Sequence, residues 1–193
     1  MVRKSVLTLA LAALPAMSTS AALAADEAQL LEEGRTVASS IPPKLLEVLS
    51  DEIQKGGPEG AIGVCREKAP AMAKAASEKT GWAIRRVSLK NRNPKAVPDA
   101  WEKAVLEDFE RRVAAGEKPA GLEKGELATI DGKQVYRYMK ALPTIELCLQ
   151  CHGTSDQVSP AVQAKLKELY PDDKAVGYGV GQIRGAITIK KPL

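Results

Sequence analysis

Residues 148–152 read Cys148-Leu149-Gln150-Cys151-His152, and the interpretation of the whole chain starts from this stretch. The spacing C-x-x-C-H is the pattern for covalent attachment of a c-type haem. Each thiol can form a thioether with a haem vinyl group, and the adjacent imidazole is then held where one of its nitrogens reaches the iron. His152 is the only histidine among the 193 residues, so the sequence excludes a metal site that needs two histidines.

Other interpretations of the cysteine pair are a redox disulfide, a structural disulfide and one half of a zinc site. A zinc site needs four ligands, and beyond Cys65 the chain offers no further thiol or imidazole to complete a usual set. A thioredoxin-like motif opens a helix after a strand in a βαβ unit, and no such unit is visible around Cys148. We favour haem attachment, since a chance C-x-x-C directly before the sole histidine would be a coincidence.

The amino terminus has the three parts of a secretory signal peptide. Residues 1–4 are basic, residues 6–16 are apolar, and Ala22-Leu23-Ala24 is an A-x-A cleavage site. The apolar run is shorter than the about 20 residues that span a membrane, and no later segment resembles a transmembrane helix. We therefore predict a signal peptide over residues 1–24 and a single haem-c-binding domain over residues 25–193. Export to the periplasm fits the compartment in which bacteria attach haem c.

The charge balance argues against a nucleic-acid partner. The formal net charge is +4, and the predicted signal peptide contributes two positive charges, from Arg3 and Lys4, which leaves +2 on the mature chain. The two propionates of a haem would bring the mature protein close to neutral. A nucleic-acid binder of this kind would carry a strong basic excess.

The amino-terminal third is predicted to be helical. From Glu27 onward, apolar residues recur three and four positions apart with charged residues between them. Helix breakers divide this region at Pro42-Pro43, Gly56-Gly57, Pro70 and Gly81. The segment that starts at Pro58 carries Cys65 on its apolar face, and Pro70 either kinks this segment or restarts it.

The rest of the chain is predicted to form an antiparallel sheet with helices. Alternation indicates strands at residues 82–89, 127–130, 134–139 and 183–189. The middle two form a hairpin around Asp131-Gly132. Helices are predicted after Asp99, which forms a capping box with Glu102, and after Ser159. The segment 116–125 is interpreted as a polar surface connection. The predicted fold class is therefore α+β, with an antiparallel sheet and an N-terminal helical segment.

A haem iron bound by His152 has a second axial position. From the residues alone, the candidates are Cys65, Met72, Met139, a lysine, or no protein ligand. Cys65 fits equally well as a small buried residue on the apolar face of a helix. The composition leaves these alternatives open.

Several segments resemble one bacterial family, in the same order and over nearly all of the mature chain. They are AIGVCREKAP at 61–70, RRVSLKNRNP at 85–94, PDAWE at 98–102, YMKALP at 138–143 and GQIRGA at 181–186. The family consists of periplasmic single-haem c-type proteins and was first catalogued as a domain of unknown function. The resemblance implies a PAS-like sheet, one covalent haem, and His152 and Cys65 as axial ligands. Gln182 departs from the family pattern, in which an acidic residue is usual.

Three arginines are candidates for binding the cofactor. Arg85, Arg86 and Arg92 could pair with the haem propionates, because a guanidinium group suits a carboxylate. The alternative is that they are solvated surface charges. A Cys65 thiolate would be a soft, anionic donor that favours Fe(III), so we expect a low midpoint potential.

We expect this chain to be a low-potential electron-transfer protein that works with an unidentified periplasmic redox partner protein. The alternative is a haem-based sensor of redox state or of a gas such as CO or NO. Since no output domain is recognised in the chain, a sensor would act through a separate partner. Peroxidase-like catalysis ranks last, because the only histidine is already committed to the iron and none is left to act as a distal acid or base.

Overall fold

Helices form the amino-terminal part of the protein. The computed structural model describes residues 18–193, with side chains from Asp26 onward, so residues 1–17 of the predicted signal peptide lie outside the described part. The first three helices are α1 (Ser18–Ser39), α2 (Ile41–Gly63) and α3 (Ala69–Thr80).

The predicted helix breakers lie at ends and kinks of these helices. Pro42 and Pro43 occupy the first turn of α2, where a missing N–H group costs little. Gly56 and Gly57 leave the helical conformation and kink α2, with φ of +70° at Gly57. Gly81 ends α3 in the left-handed conformation, with φ of +74°.

A π-helical turn, Val64–Lys68, joins α2 to α3 and contains Cys65. The N–H of Ala69 donates to the carbonyl of Val64, five residues earlier. Pro70 explains this wider turn, because proline has no N–H to donate and its ring would clash with the carbonyl of Arg66 in a regular α-helix. Single π-helical turns occur frequently at functional sites.

The carboxy-terminal part contains a four-stranded antiparallel sheet. Its strands are β1 (Ala83–Val87), β2 (Glu123–Ile130), β3 (Lys133–Pro143) and β4 (Ile183–Pro192), in the spatial order β1-β4-β3-β2. The predicted hairpin is confirmed, and Asp131 and Gly132 form its turn, with φ of +51° and +75°. The α+β class, with an N-terminal helical segment, is also confirmed, and the sheet is compatible with a PAS-like fold.

The two faces of the sheet are covered by different helices. Helix α4 (Ala100–Ala114) covers one face, and the predicted capping box starts it, because Asp99 and Glu102 exchange hydrogen bonds between side chain and backbone. The buried core on this side includes Val87, Leu106, Phe109 and Met139. Helices α1 and α3 cover the other face, whose core includes Trp82, Tyr136, Tyr138 and Ile189.

Two short helices complete the fold, α5 (Glu146–His152) and α6 (Pro160–Leu169). The prediction for residues 116–125 is wrong in part, because Leu122 is fully buried in the core under α4 and β2 begins at Glu123. Within the described part of the chain, none of the helices has the length and apolar character needed to cross a bilayer.

Candidate cofactor site

The C-x-x-C-H stretch forms the short helix α5. Cys148 and Cys151 are three positions apart, so their side chains lie on the same side of the helix. Both thiols are half-buried and free, as is that of Cys65. The cysteine pair is therefore not joined as a disulfide in this structure. In the described part of the chain, no three His, Cys, Asp or Glu side chains are arranged to hold a metal ion, so the ligand set of a zinc site is not assembled there.

His152 is held by the backbone of the segment that precedes β4. Its Nδ1–H donates to the carbonyl of Ala175 at 2.7 Å, and the N–H of Tyr178 donates to the carbonyl of His152 at 2.9 Å. Because a carbonyl only accepts, Nδ1 carries the proton and Nε2 keeps a lone pair for a metal. Loss of hydration, and then the charges of Arg184 and Arg92, hold the pKa of His152 well below its usual value of 6.5. The imidazole is therefore neutral, the form that binds iron.

Arg92 joins the C-x-x-C-H helix to the same segment. Its Nη2 donates to the carbonyl of Cys151 at 2.6 Å and to that of Ala175 at 3.3 Å, and its Nε donates to Asp173 at 2.9 Å. The other Asp173 oxygen accepts the N–H of Ala175 at 2.8 Å. Arg92 is only 8% exposed, so it is not a solvated surface charge. These contacts form a closed ring around the base of His152 and fix the orientation of its imidazole.

Arg85 and Arg86 are neighbours on β1 with different surroundings. Arg85 pairs with Glu102 and donates to the carbonyl of Val97 at 3.2 Å. Arg86 makes no hydrogen bond or ion pair with any residue that the structure describes. Burial lowers the pKa of Arg86, and the nearby Cys65 and Cys148 thiols oppose this shift. Of these two arginines, Arg86 is therefore the one that lies close to the cysteines.

Arg184 belongs to the same group of charges, and the sequence did not identify it. It is 6% exposed and lies over the ring of Tyr178, at 5.4 Å from the ring centre. Its Nη1 donates to Ser88 Oγ at 3.1 Å, whereas its buried Nε has no hydrogen-bond partner in the described structure. The signal for Arg184 in the sequence is a charged residue inside an otherwise apolar strand. Alternation alone accounts for such a residue as an ordinary member of the strand.

A cavity of about 1030 Å³ opens beside these groups. This volume is at the upper end of the about 300–1,000 Å³ typical of ligand sites. The sheet contributes Ile84, Arg86 and Ile187 to its wall, and the π-helical turn contributes Cys65. Arg92 also lines the cavity and connects it to the helix α5, which lies outside the lining.

The structure brings Cys65 close to the other two thiols. Burial raises the pKa of the Cys151 thiol to about 11. The charge of Arg92 opposes this shift, and the neighbouring thiols of Cys65 and Cys148 add to it. Met139 lies instead in the core under α4, on the face of the sheet opposite to Cys65 and Arg86. Of the sulfur atoms considered as second ligands, Cys65 lines the cavity and Met139 does not.

The residues present fit a tethered, anionic cofactor. Two free thiols lie on one helix, the adjacent imidazole presents Nε2, and Nε of Arg184 is buried without a partner. A haem with two thioether bonds and two propionates would use each of these groups.

Two comparisons with known proteins found a match. The profile of the Tll0287-like family matches residues 12–192. Among solved structures, the chain is similar to the crystal structure of the cyanobacterial haem protein Tll0287, with a TM-score of 0.53 and 23% sequence identity over 93% of this chain and 97% of that chain. At this identity the likeness shows the fold alone. No match was found among curated proteins.

Proposed function

Because the chain belongs to the Tll0287-like family, we propose that it is a haem protein of the c type. Cys148 and Cys151 tether one haem through thioether bonds, and His152 and Cys65 are the axial ligands. The observation that carries this proposal is the hydrogen bond from His152 Nδ1–H to Ala175, which leaves Nε2 available on a helix that also carries two unpaired thiols. The likeness to a solved haem protein of the same fold supports the choice of cofactor.

The function that we propose is electron transfer at low potential with a periplasmic redox partner protein. A bound haem supplies a reversible one-electron couple. In this chain, Cys65 contributes a soft anionic ligand that favours the ferric state. The ring of Arg92, Asp173 and Ala175 keeps His152 in one orientation, so that little rearrangement accompanies the gain or loss of an electron.

A Cys65→Ser variant tests the second ligand and the potential together. The parent protein, produced in a bacterium that attaches haem c, should show one covalent haem and a low midpoint potential. The variant should keep the covalent haem, because the tether is unchanged, but its ferric absorption spectrum should change and its potential should rise. A variant with the spectrum and potential of the parent would show that Cys65 is not a ligand. Cys65→Met is a matched control, since a thioether is a neutral sulfur ligand.

A sensor of redox state or of CO or NO is the second candidate, and the π-helical turn at Cys65 favours it. Conversion of this turn to a regular α-helix would rotate Cys65 by about 100°, the angle of one residue. A thiol on such a turn can leave the cofactor without unfolding of α2 or α3. Exposure of the reduced protein to CO distinguishes the candidates: a sensor should bind CO at low concentration with a change of spectrum, whereas a carrier should keep its ligands.

A further inference from the structure

Two guanidinium groups near the cysteines and His152 have no carboxylate partner in the described structure, that of the buried Arg184 and that of the half-buried Arg86. The side-chain hydrogen bonds of Arg184 go to neutral acceptors, Ser88 Oγ at 3.1 Å and the carbonyl of Lys90 at 3.3 Å. Its Nε is buried and makes no hydrogen bond in the described structure, and the residue is 6% exposed. Arg86 makes no polar contact with a described residue and lines the cavity. An unpaired cation that is wholly or partly withdrawn from water is costly unless a ligand compensates it.

The two groups also repel one another. Burial and then the charge of Arg86 lower the pKa of Arg184 to about 9. The neighbouring Arg92 adds a third positive charge, and the one described carboxylate that faces these three charges is that of its partner Asp173. The region therefore holds two positive charges more than its protein carboxylates balance. A ligand that presents two carboxylates would neutralise them.

Two further arginines that line the cavity are already committed to protein groups. Arg85 pairs with the fully buried Glu102, and Arg92 uses Nε and Nη2 for Asp173 and two backbone carbonyls. Arg66 also lines the cavity without an ion pair to a described residue, but its side chain is exposed to solvent. The unpaired guanidinium groups withdrawn from solvent in this region are those of Arg86, which lines the cavity, and Arg184, which lies near His152. The ring of Tyr178 lies under Arg184 and also under the Lys90 ammonium, at 4.4 Å from the ring centre, and so limits where the Arg184 side chain can move.

We propose that Arg86 and Arg184 are the carboxylate-binding pair of this site, and that their ligands are the two propionates of the haem. This inference rests on the proposed function, since it takes haem as the occupant. Arg184 was absent from the arginines that the sequence suggested. The pair replaces Arg85 and Arg92 in the role of propionate partners.

Resonance Raman spectra of the haem-loaded protein test the inference through the bending band of the propionates, which responds to hydrogen bonds at their oxygens. Arg86→Gln and Arg184→Gln should each shift this band, while the covalent haem and its axial ligands are retained. Arg92→Gln also removes one buried positive charge, but it should leave the band in place. Arg111→Gln, on the exposed side of α4, should change nothing.

An unshifted band in haem-loaded Arg86→Gln would overturn the inference. Arg86 makes no contact that the fold needs, so this variant remains informative if Arg184→Gln does not fold. A shift in Arg92→Gln equal to that in Arg86→Gln would also overturn it, because the band would then follow charge and not contact. A parent protein without covalent haem would give no propionate band in any sample, which is the failure of the proposed function and not of this inference.

Discussion

Arg85 and Arg86 are adjacent in sequence but lie on opposite faces of the sheet, where they have different charge partners. On the α4 face, Arg85 pairs with Glu102, which is fully buried and also accepts a hydrogen bond from Thr188 at 2.9 Å. Arg137 lies in the same network and pairs with Asp99 at 2.6 Å. On the cavity face, Arg86 has no such partner. Successive residues of a strand point to opposite faces, so one strand serves both.

The comparison distinguishes Arg85, whose charge is paired within the fold, from Arg86, whose charge is left for a ligand. On the α4 face, the carboxylates of Glu102 and Asp99 balance the charges of Arg85 and Arg137, so the polypeptide alone supplies the counter-charges, although Arg137 Nε is buried without a hydrogen-bond partner in the described structure. The cavity face has a surplus of positive charge around Arg86 and Arg184, which only an added anion can balance. Sites at which a sequence leaves such a local conflict are expected to be functional.

The largest expected effect is on the α4 face. Replacing Glu102 by Gln removes the buried carboxylate that faces the half-exposed Arg85 and, at 3.6 Å, the buried Arg137. Breaking a buried pair such as that with Arg137 costs about 3–5 kcal/mol of unfolding free energy. Urea unfolding measures this loss. Glu107→Gln is the matched control on the same helix, because the pair of Glu107 with Lys103 is exposed and should contribute less than about 0.5 kcal/mol. Equal losses in the two variants would contradict the comparison.

Removal of Arg92 should have the next largest effect. Arg92→Met leaves Asp173, whose side chain is 11% exposed, without its partner, and we expect a loss of about 2–3 kcal/mol, since water can replace the donors to the two carbonyls. The midpoint potential should fall as well, because a positive charge beside His152 is lost. Unfolding in urea and a redox titration measure the two effects. A variant with unchanged stability would show that the ring around His152 contributes nothing to the fold.

Arg86→Leu should change stability in opposite directions with and without haem. In a Cys148→Ala/Cys151→Ala background, which cannot tether haem, the variant should be more stable by up to about 1 kcal/mol, because an unpaired, half-buried charge is removed. In the haem-loaded protein it should be less stable by a similar amount, because a carboxylate partner is lost. Thermal unfolding of the four proteins measures both signs. The same sign in both backgrounds would mean that Arg86 does not respond to the cofactor.

The smallest effect is expected at the half-exposed pair of Glu123 with Arg35, on the far strand of the sheet. The hydrogen bond from Arg35 and then that from Tyr138 lower the pKa of Glu123 below its usual value of 4.5. A lowered carboxylate pKa gives stability that is present above pH 4.5 and is lost as the pH falls below it. Glu123→Gln should therefore lower stability at pH 7 by less than about 1 kcal/mol and weaken its loss in acid. Urea unfolding at pH 7 and pH 3 checks this, and an unchanged pH dependence would contradict it.

Local patterns in the sequence predicted much of the fold. The Asp131-Gly132 hairpin, the Asp99–Glu102 capping box and the break at Gly81 each depend on residues a few positions apart, and the structure confirms all three. The sequence predicts a kink or a restart at Pro70, but it does not predict the π-helical turn around Cys65.

The surroundings of the candidate site depend on distant segments and could not be read from local patterns. The ring around His152 joins Arg92, Asp173 and Ala175, which come from different parts of the chain. Arg184 belongs to a strand whose alternation looks ordinary, and its lack of a partner becomes visible only when β1 and β4 pair.

The intact mass of the exported protein under denaturing conditions tests the central claim most directly. The protein should be coloured, and its mass should exceed that of the polypeptide by one haem. A Cys148→Ala/Cys151→Ala variant, produced in the same way, should have the mass of its polypeptide alone. A colourless parent protein with only the polypeptide mass, from cells that attach haem to another c-type cytochrome, would contradict the account.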